Sequence, residues 1–269
     1  MNFYLQTFLK DFRIATSYKV QFAFSIISIF VSIFFIFIFS TLFESSNNQI
    51  LNKYGGSYFN FLFIGFITAE ITFLFLNTMP NKVREYQMTG VFEELIMSGR
   101  KEIEVILSSL LYPIFFQVFR LFCYWSALVL AGIDLEFIYG MGFHSLVAFL
   151  FFSMSLIGIS LISTAITITY KSPGIVNRLY LSVTSVLSGV AFPVELLPKF
   201  LEIAGQILPT TQFLFIVRND SIVLFEENFA YYENLIFLLL ISILLIIFGS
   251  IFLKKAIEVS KKNGSLLLY

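Results

Sequence analysis

Long apolar runs decide what this chain can become. A helix needs about 20 consecutive, mostly apolar residues to cross a bilayer, and residues 20–43 meet that requirement without a single charge. Further runs cover residues 58–79 with Glu70 inside, 105–131 with Arg120 inside, and 142–169 and 235–253 without charge. A shorter run begins near Leu179 and ends at Pro193. Lipid offers the backbone no hydrogen-bond partner, so each run is expected to be helical. Only 13% of the residues are charged, against about 25% in a soluble domain. Acidic and basic residues balance at 17 each, which leaves no net charge to hold nucleic acid. The expected fold is a single all-α membrane domain over residues 1–269, with six transmembrane helices.

Sidedness follows from the loops. Residues 200–217 make a poor seventh span, because Glu202 and Pro209 interrupt them. With six spans and the N-terminus inside, the basic residues fall on the cytoplasmic side, apart from Arg120 in the membrane and Lys53, Lys199 and Arg218 outside. The acidic residues Asp134, Glu136, Glu195, Glu202 and Asp220 fall outside. An excess of Lys and Arg on cytoplasmic loops sets orientation, so both termini are expected in the cytoplasm. The first run is too long for a signal peptide, whose apolar region spans about 7–15 residues. Ahead of it, residues 1–19 place Tyr4, Leu5, Phe8, Leu9 and Phe12 on one helical face and Lys10 and Arg13 on the other. That pattern predicts an amphipathic helix on the inner membrane surface.

Catalytic chemistry finds few residues to work with. No Gly-rich loop followed by Lys-Ser/Thr is present to cradle ATP phosphates. The single histidine, His144, and single cysteine, Cys123, argue against a metal centre. His144 reads as an interfacial residue at the outer end of the fourth span. Glu70 and Arg120 are the two intramembrane charges, mid-depth in consecutive antiparallel spans. Either one unpaired in lipid costs at least a few kcal/mol, so they are expected to pair, as a structural bridge or as a polar gate or substrate contact. Pro113 is expected to kink the third span. Ser155, Gly158, Ser160, Ser163, Thr164 and Ala165 in the fourth span, with Ser182, Ser185 and Gly189 in the fifth, permit close helix packing or line a pathway.

Two loops carry the most information. Residues 80–102 alternate charge with apolar side chains. Val91, Leu95 and Ile96 form one helical stripe with Phe92 on its edge, and Arg84, Glu85, Glu93 and Glu94 supply polarity. Such a short amphipathic helix suits a groove on a partner protein or the membrane surface. Residues 194–218 contain Pro198 and Pro209 just after Pro193, which predicts two short helices dipping back into the outer leaflet as a re-entrant hairpin.

These loops resemble those of ABC-2 type transporter permeases, the transmembrane subunits of ABC exporters. The first motif reads Arg84-Glu85, Gly90-Val-Phe-Glu93-Glu-Leu95, Ser98-Gly99; the second reads Ser188-Gly189, Phe192-Pro193, Leu197-Pro198, Pro209-Thr-Thr211 and Arg218. Val91, Phe92 and Gly99 stand where the family usually has Thr, Leu and Pro. The resemblance implies that Arg84, Glu85, Gly90, Phe92, Glu93, Glu94, Leu95 and Ser98 form a coupling helix that docks on a cytoplasmic ABC ATPase. It implies that Ser188, Gly189, Pro193, Pro198, Pro209, Thr211 and Arg218 build an extracellular gate. ATP and Mg²⁺ would sit on the ATPase, with no cofactor on this non-catalytic chain. A second permease copy or paralogue would complete the unit in the plasma or inner membrane. The cargo would be hydrophobic, amphipathic, or linked to lipid or glycan. Two other classes are compatible with the residues: a membrane scaffold without transport, and a secondary transporter using Glu70. The second of these predicts an inverted repeat, and the two loops do not resemble each other.

Overall fold

The computed structural model describes residues 3–44, 58–97, 99–130, 132, 142–222 and 229–263. Eleven α-helices and no strand occur among the described residues: α1 Phe3–Ser17, α2 Lys19–Glu44, α3 Tyr58–Met88, α4 Val91–Met97, α5 Glu102–Ser108, α6 Leu111–Leu130, α7 Phe143–Tyr170, α8 Ile175–Leu187, α9 Lys199–Gln206, α10 Pro209–Ile222 and α11 Phe229–Lys262. The expected loop residues Asp134 and Glu136 lie outside the described residues. α2, α3, α5 with α6, α7 and α11 are long and apolar enough to span a membrane.

α8 has only 13 residues, about 20 Å of helix. Its first turn touches α3 at Leu76, where Asn177 Nδ2 donates to the Leu76 carbonyl at 2.6 Å. Just beyond its other end, Ala191 accepts from the hydroxyl of Tyr58, at the start of α3 (3.0 Å). α8 therefore runs alongside α3 from Leu76 to the end that begins with Tyr58. It starts earlier and stops sooner than the apolar run implied, because Gly189 turns the chain at φ +79°. α9 and α10 meet at 87°. Arg218, late in α10, bonds the carbonyl of Gly189 just past the end of α8 (2.8 Å), so the end of this bent pair lies against the end of α8.

The most extensive packing joins α7 to α11. A Cβ on Gly158 would sit 2.5 Å from the backbone carbon of Leu245, and one on Gly249 would sit 2.5 Å from the oxygen of Gly158. Ser155, Ser160, Ser163, Thr164 and Ala165 are buried around that crossing, so the small residues of this span serve helix packing. Ser182 and Ser185 on α8 instead face out of the chain. The chain breaks at a turn between α5 and α6, and Pro113 occupies the first turn of α6, where a missing N–H costs little.

α1 and the last turns of α11 meet one end of the bundle. Asp11 on α1 pairs with Lys82 near the end of α3 (3.2 Å), and Lys261 on α11 pairs with Glu102 on α5 (2.7 Å). Tyr4, Leu5 and Phe12 remain exposed on α1.

Candidate functional site

The loop expected to begin at Pro80 starts later. α3 continues through Pro80 to Met88, which places Arg84 and Glu85 on a helix rather than in a loop. Pro80 has no N–H to give the carbonyl of Leu76, four residues back. Asn177 supplies that donor from α8, and Ser160 Oγ adds a longer contact at 3.4 Å. Asn177 is 1% exposed. No periodicity pointed to it; the signal was the orphan carbonyl that a helical proline creates.

Beyond Met88, Gly90 takes φ +75° and Gly99 φ +78°, and these turns bracket the seven-residue α4. Phe92 is 1% exposed and joins the core cluster. The ring therefore fastens α4 to its own chain and corrects the expectation that Phe92 faces a partner. Leu95 is partly buried against the same core. Among the described side chains, Met88, Val91 and Met97 are left outward; that of Ile96 lies outside them. Glu94 is exposed, Arg84 is half-buried and Glu85 holds Lys82 at 3.0 Å. Ser98 and the Glu93 side chain lie outside the described residues.

At the opposite end, Arg218 organises the hairpin. It is 4% exposed. Nη1 donates to Gly189 O, Nη2 donates to Phe61 O at 3.0 Å, and the guanidinium lies 3.5 Å from the Phe61 ring centroid. A buried guanidinium is tolerated when carbonyls and an aromatic face replace water. Gly65 allows the turn to approach α3, since a Cβ there would sit 2.1 Å from Val190 O. Ser188 is buried and donates to Thr184 O. Pro193 and Pro198 precede the 3₁₀ turn Val194–Leu196 and α9, and Pro209 opens α10. Thr211 is 8% exposed and lines a pocket of about 260 Å³ with Glu195, Glu202, Gln212 and Arg218.

Sequence reasoning placed Asp220 in an outer loop and gave it no role. Its carboxylate accepts from the N–H groups of Gly142 and Ser145 and from Ser145 Oγ (2.9, 3.2 and 2.5 Å). α10 thereby caps the start of α7, a position where negative charge offsets exposed helix N–H groups.

Glu70 and Arg120 sit at mid-depth. Arg120 Nη2 donates to Glu70 Oε1 at 2.6 Å. Tyr124 donates to the same oxygen at 3.0 Å and accepts from Arg120 at 3.2 Å, while Gln117 donates to Oε2 at 3.4 Å. This cluster borders a groove of about 640 Å³ between α3 and α6. His144 stands edge-on to Tyr232, and no group of three or more metal-ligating side chains occurs among the described residues.

Among known families, the one described as ABC-2 type transporter matches residues 7–220. No curated protein matches the chain.

Proposed function

The chain belongs to the ABC-2 type transporter family, as a membrane permease subunit associated with an ABC ATPase, and on that premise we propose that it exports an amphipathic or lipid- or glycan-linked cargo. The observation that carries the reading is the mechanical continuity between the two ends of the bundle. α4 is fastened by Phe92 onto α3 and α5. α3 is tied to α8 at Leu76–Asn177 and to the hairpin at Gly65 and Arg218. A push on α4 from an ATPase that closes on ATP would travel along α3 to the hairpin as a rigid-body tilt.

In this reading the end holding α1 and the last turns of α11 is cytoplasmic, in agreement with the distribution of Lys and Arg, and the membrane is the plasma or inner membrane. Met88, Val91 and Met97 are the apolar contacts to the ATPase, with Glu94 setting register. ATP and Mg²⁺ stay on the ATPase. The working unit is a dimer of permeases. The outward Ser182 and Ser185 favour this, because small side chains let a second copy approach α8 closely.

The test is co-purification of the ATPase with full-length permease, plus cargo-stimulated ATP hydrolysis in vesicles. Met97→Asp with Val91→Asp should leave the membrane domain folded and abolish co-purification. Undiminished co-purification would remove α4 from the interface. A folded wild-type permease that captures no ATPase would return the scaffold reading.

A further inference from the structure

The ion pair of Glu70 and Arg120 is only half used. An arginine can offer two nitrogens to the two oxygens of a carboxylate as a fork, but here Nη2 alone meets Glu70, at Oε1 (2.6 Å). Tyr124 bonds the same two atoms. Arg120 Nη1 has no hydrogen-bond partner among the described residues and, unlike Nε, keeps accessible surface. Glu70 Oε2 has one long contact, from Gln117 at 3.4 Å. One strong donor and one charged acceptor are therefore spare, side by side.

Both side chains border the groove between α3 and α6 and keep 22% and 15% of their surface, Arg120 and Glu70 respectively. The groove follows α3 from Glu70 to Asn81, about 16 Å, toward the end where Asp11 meets Lys82. Hydrocarbon supplies no hydrogen bonds, so the spare groups need water or a polar guest. The pair carries no net charge. A guest with a single charge of either sign would bring an uncompensated charge into a site of low dielectric, whereas a zwitterion brings none. Its anionic part suits Nη1 and its cationic part suits Oε2. Phe73, 60% exposed beside the groove, gives an aromatic wall to apolar chains.

We infer that the groove holds the head group of a resident ethanolamine phospholipid of the bilayer. The phosphate accepts from Arg120 Nη1, the ammonium donates to Glu70 Oε2, and the acyl chains lie along Phe73. The ammonium N–H is what selects this lipid: a choline head group carries the same two charges but has no N–H to donate. Neither transport nor the sidedness of the membrane enters into this recognition.

The full-length chain is placed in nanodiscs of phosphatidylethanolamine, phosphatidylcholine and phosphatidylglycerol in equal parts, and retained lipid is counted by native mass spectrometry. Wild-type protein should keep phosphatidylethanolamine over phosphatidylcholine by about tenfold, the factor for one hydrogen bond between charged groups, and should prefer it to phosphatidylglycerol as well. Ala69→Trp fills the groove and leaves both charges, while Glu70→Gln with Arg120→Gln leaves the groove and removes both. Each should bring the ratio close to one. The Trp variant, which touches neither charge, decides the matter should the double variant fail to fold. Equal retention of the two zwitterionic lipids by wild type overturns the assignment, as does phosphatidylglycerol held at or above phosphatidylethanolamine, or a wild-type ratio in a folded variant. Release of the lipid on adding an ABC ATPase and ATP would mark it as cargo and overturn its residence.

Discussion

Removing the amide of Asn177 should destabilise the chain only as long as Pro80 is present. The Leu76 carbonyl is buried in α3 and has lost its helical donor to the proline. Asn177 Nδ2 lies 2.6 Å away, and the other contact, from Ser160, is 3.4 Å. In Asn177→Leu the carbonyl keeps only that long contact. A buried acceptor left in this state costs about 1–3 kcal/mol, and interhelical hydrogen bonds in membranes reach about 1.7 kcal/mol, so a loss of about 1.5 kcal/mol is expected. Pro80→Ala restores an N–H at position 80, which bonds Leu76 within the helix. Asn177→Leu in that background should then cost no more than a few tenths of a kcal/mol, leaving its weaker contact to Asn77 Oδ1 at 3.3 Å as the residual term. The four proteins form a double-mutant cycle, measured by reversible unfolding in mixed detergent and SDS micelles. A coupling energy near 1 kcal/mol or more supports the argument. Additive losses would refute it, because they would mean that Asn177 stabilises α8 by packing rather than by serving the carbonyl.

Three further outcomes are expected. Glu70→Gln should cost about 3–5 kcal/mol by stranding Arg120, and adding Arg120→Gln should recover part of it; a double variant as unstable as the two singles combined would show that the charges act separately. Asp220→Ala should remove the cap of α7 and cost about 0.5–2 kcal/mol, read as faster amide exchange in residues 142–146 with the remainder of α7 unchanged. Gly158→Leu should separate α7 from α11 and cost at least about 1–3 kcal/mol by overpacking, measured as the SDS midpoint, whereas Ser182→Leu on the outward face of α8 should leave that midpoint unchanged.

Different physics made different parts of this protein legible. An uncharged run such as residues 20–43 has one low-energy conformation in lipid, so the existence and type of the long helices followed from the sequence. The Glu70–Arg120 pair was likewise legible, because the cost of a lone charge at mid-depth leaves few alternatives. Pro193, Pro198 and Pro209 marked where the chain divides into the short helices after α8, by breaking helices that hydrophobicity would have joined. Tertiary structure decided the rest. A seven-residue helix holds too few turns for its apolar stripe to name the buried face, so only the packing of α4 shows that Phe92 points inward and Met97 outward. Pro80 reads as a helix end in one dimension, yet α3 passes through it, because a donor 101 positions away in the chain satisfies the carbonyl that proline abandons. Asp220 looked like one more outer acid until α10 carried it to the start of α7. Such partnerships depend on the rotation and depth of two helices relative to each other, and a pattern of apolar residues along one helix leaves both of these free.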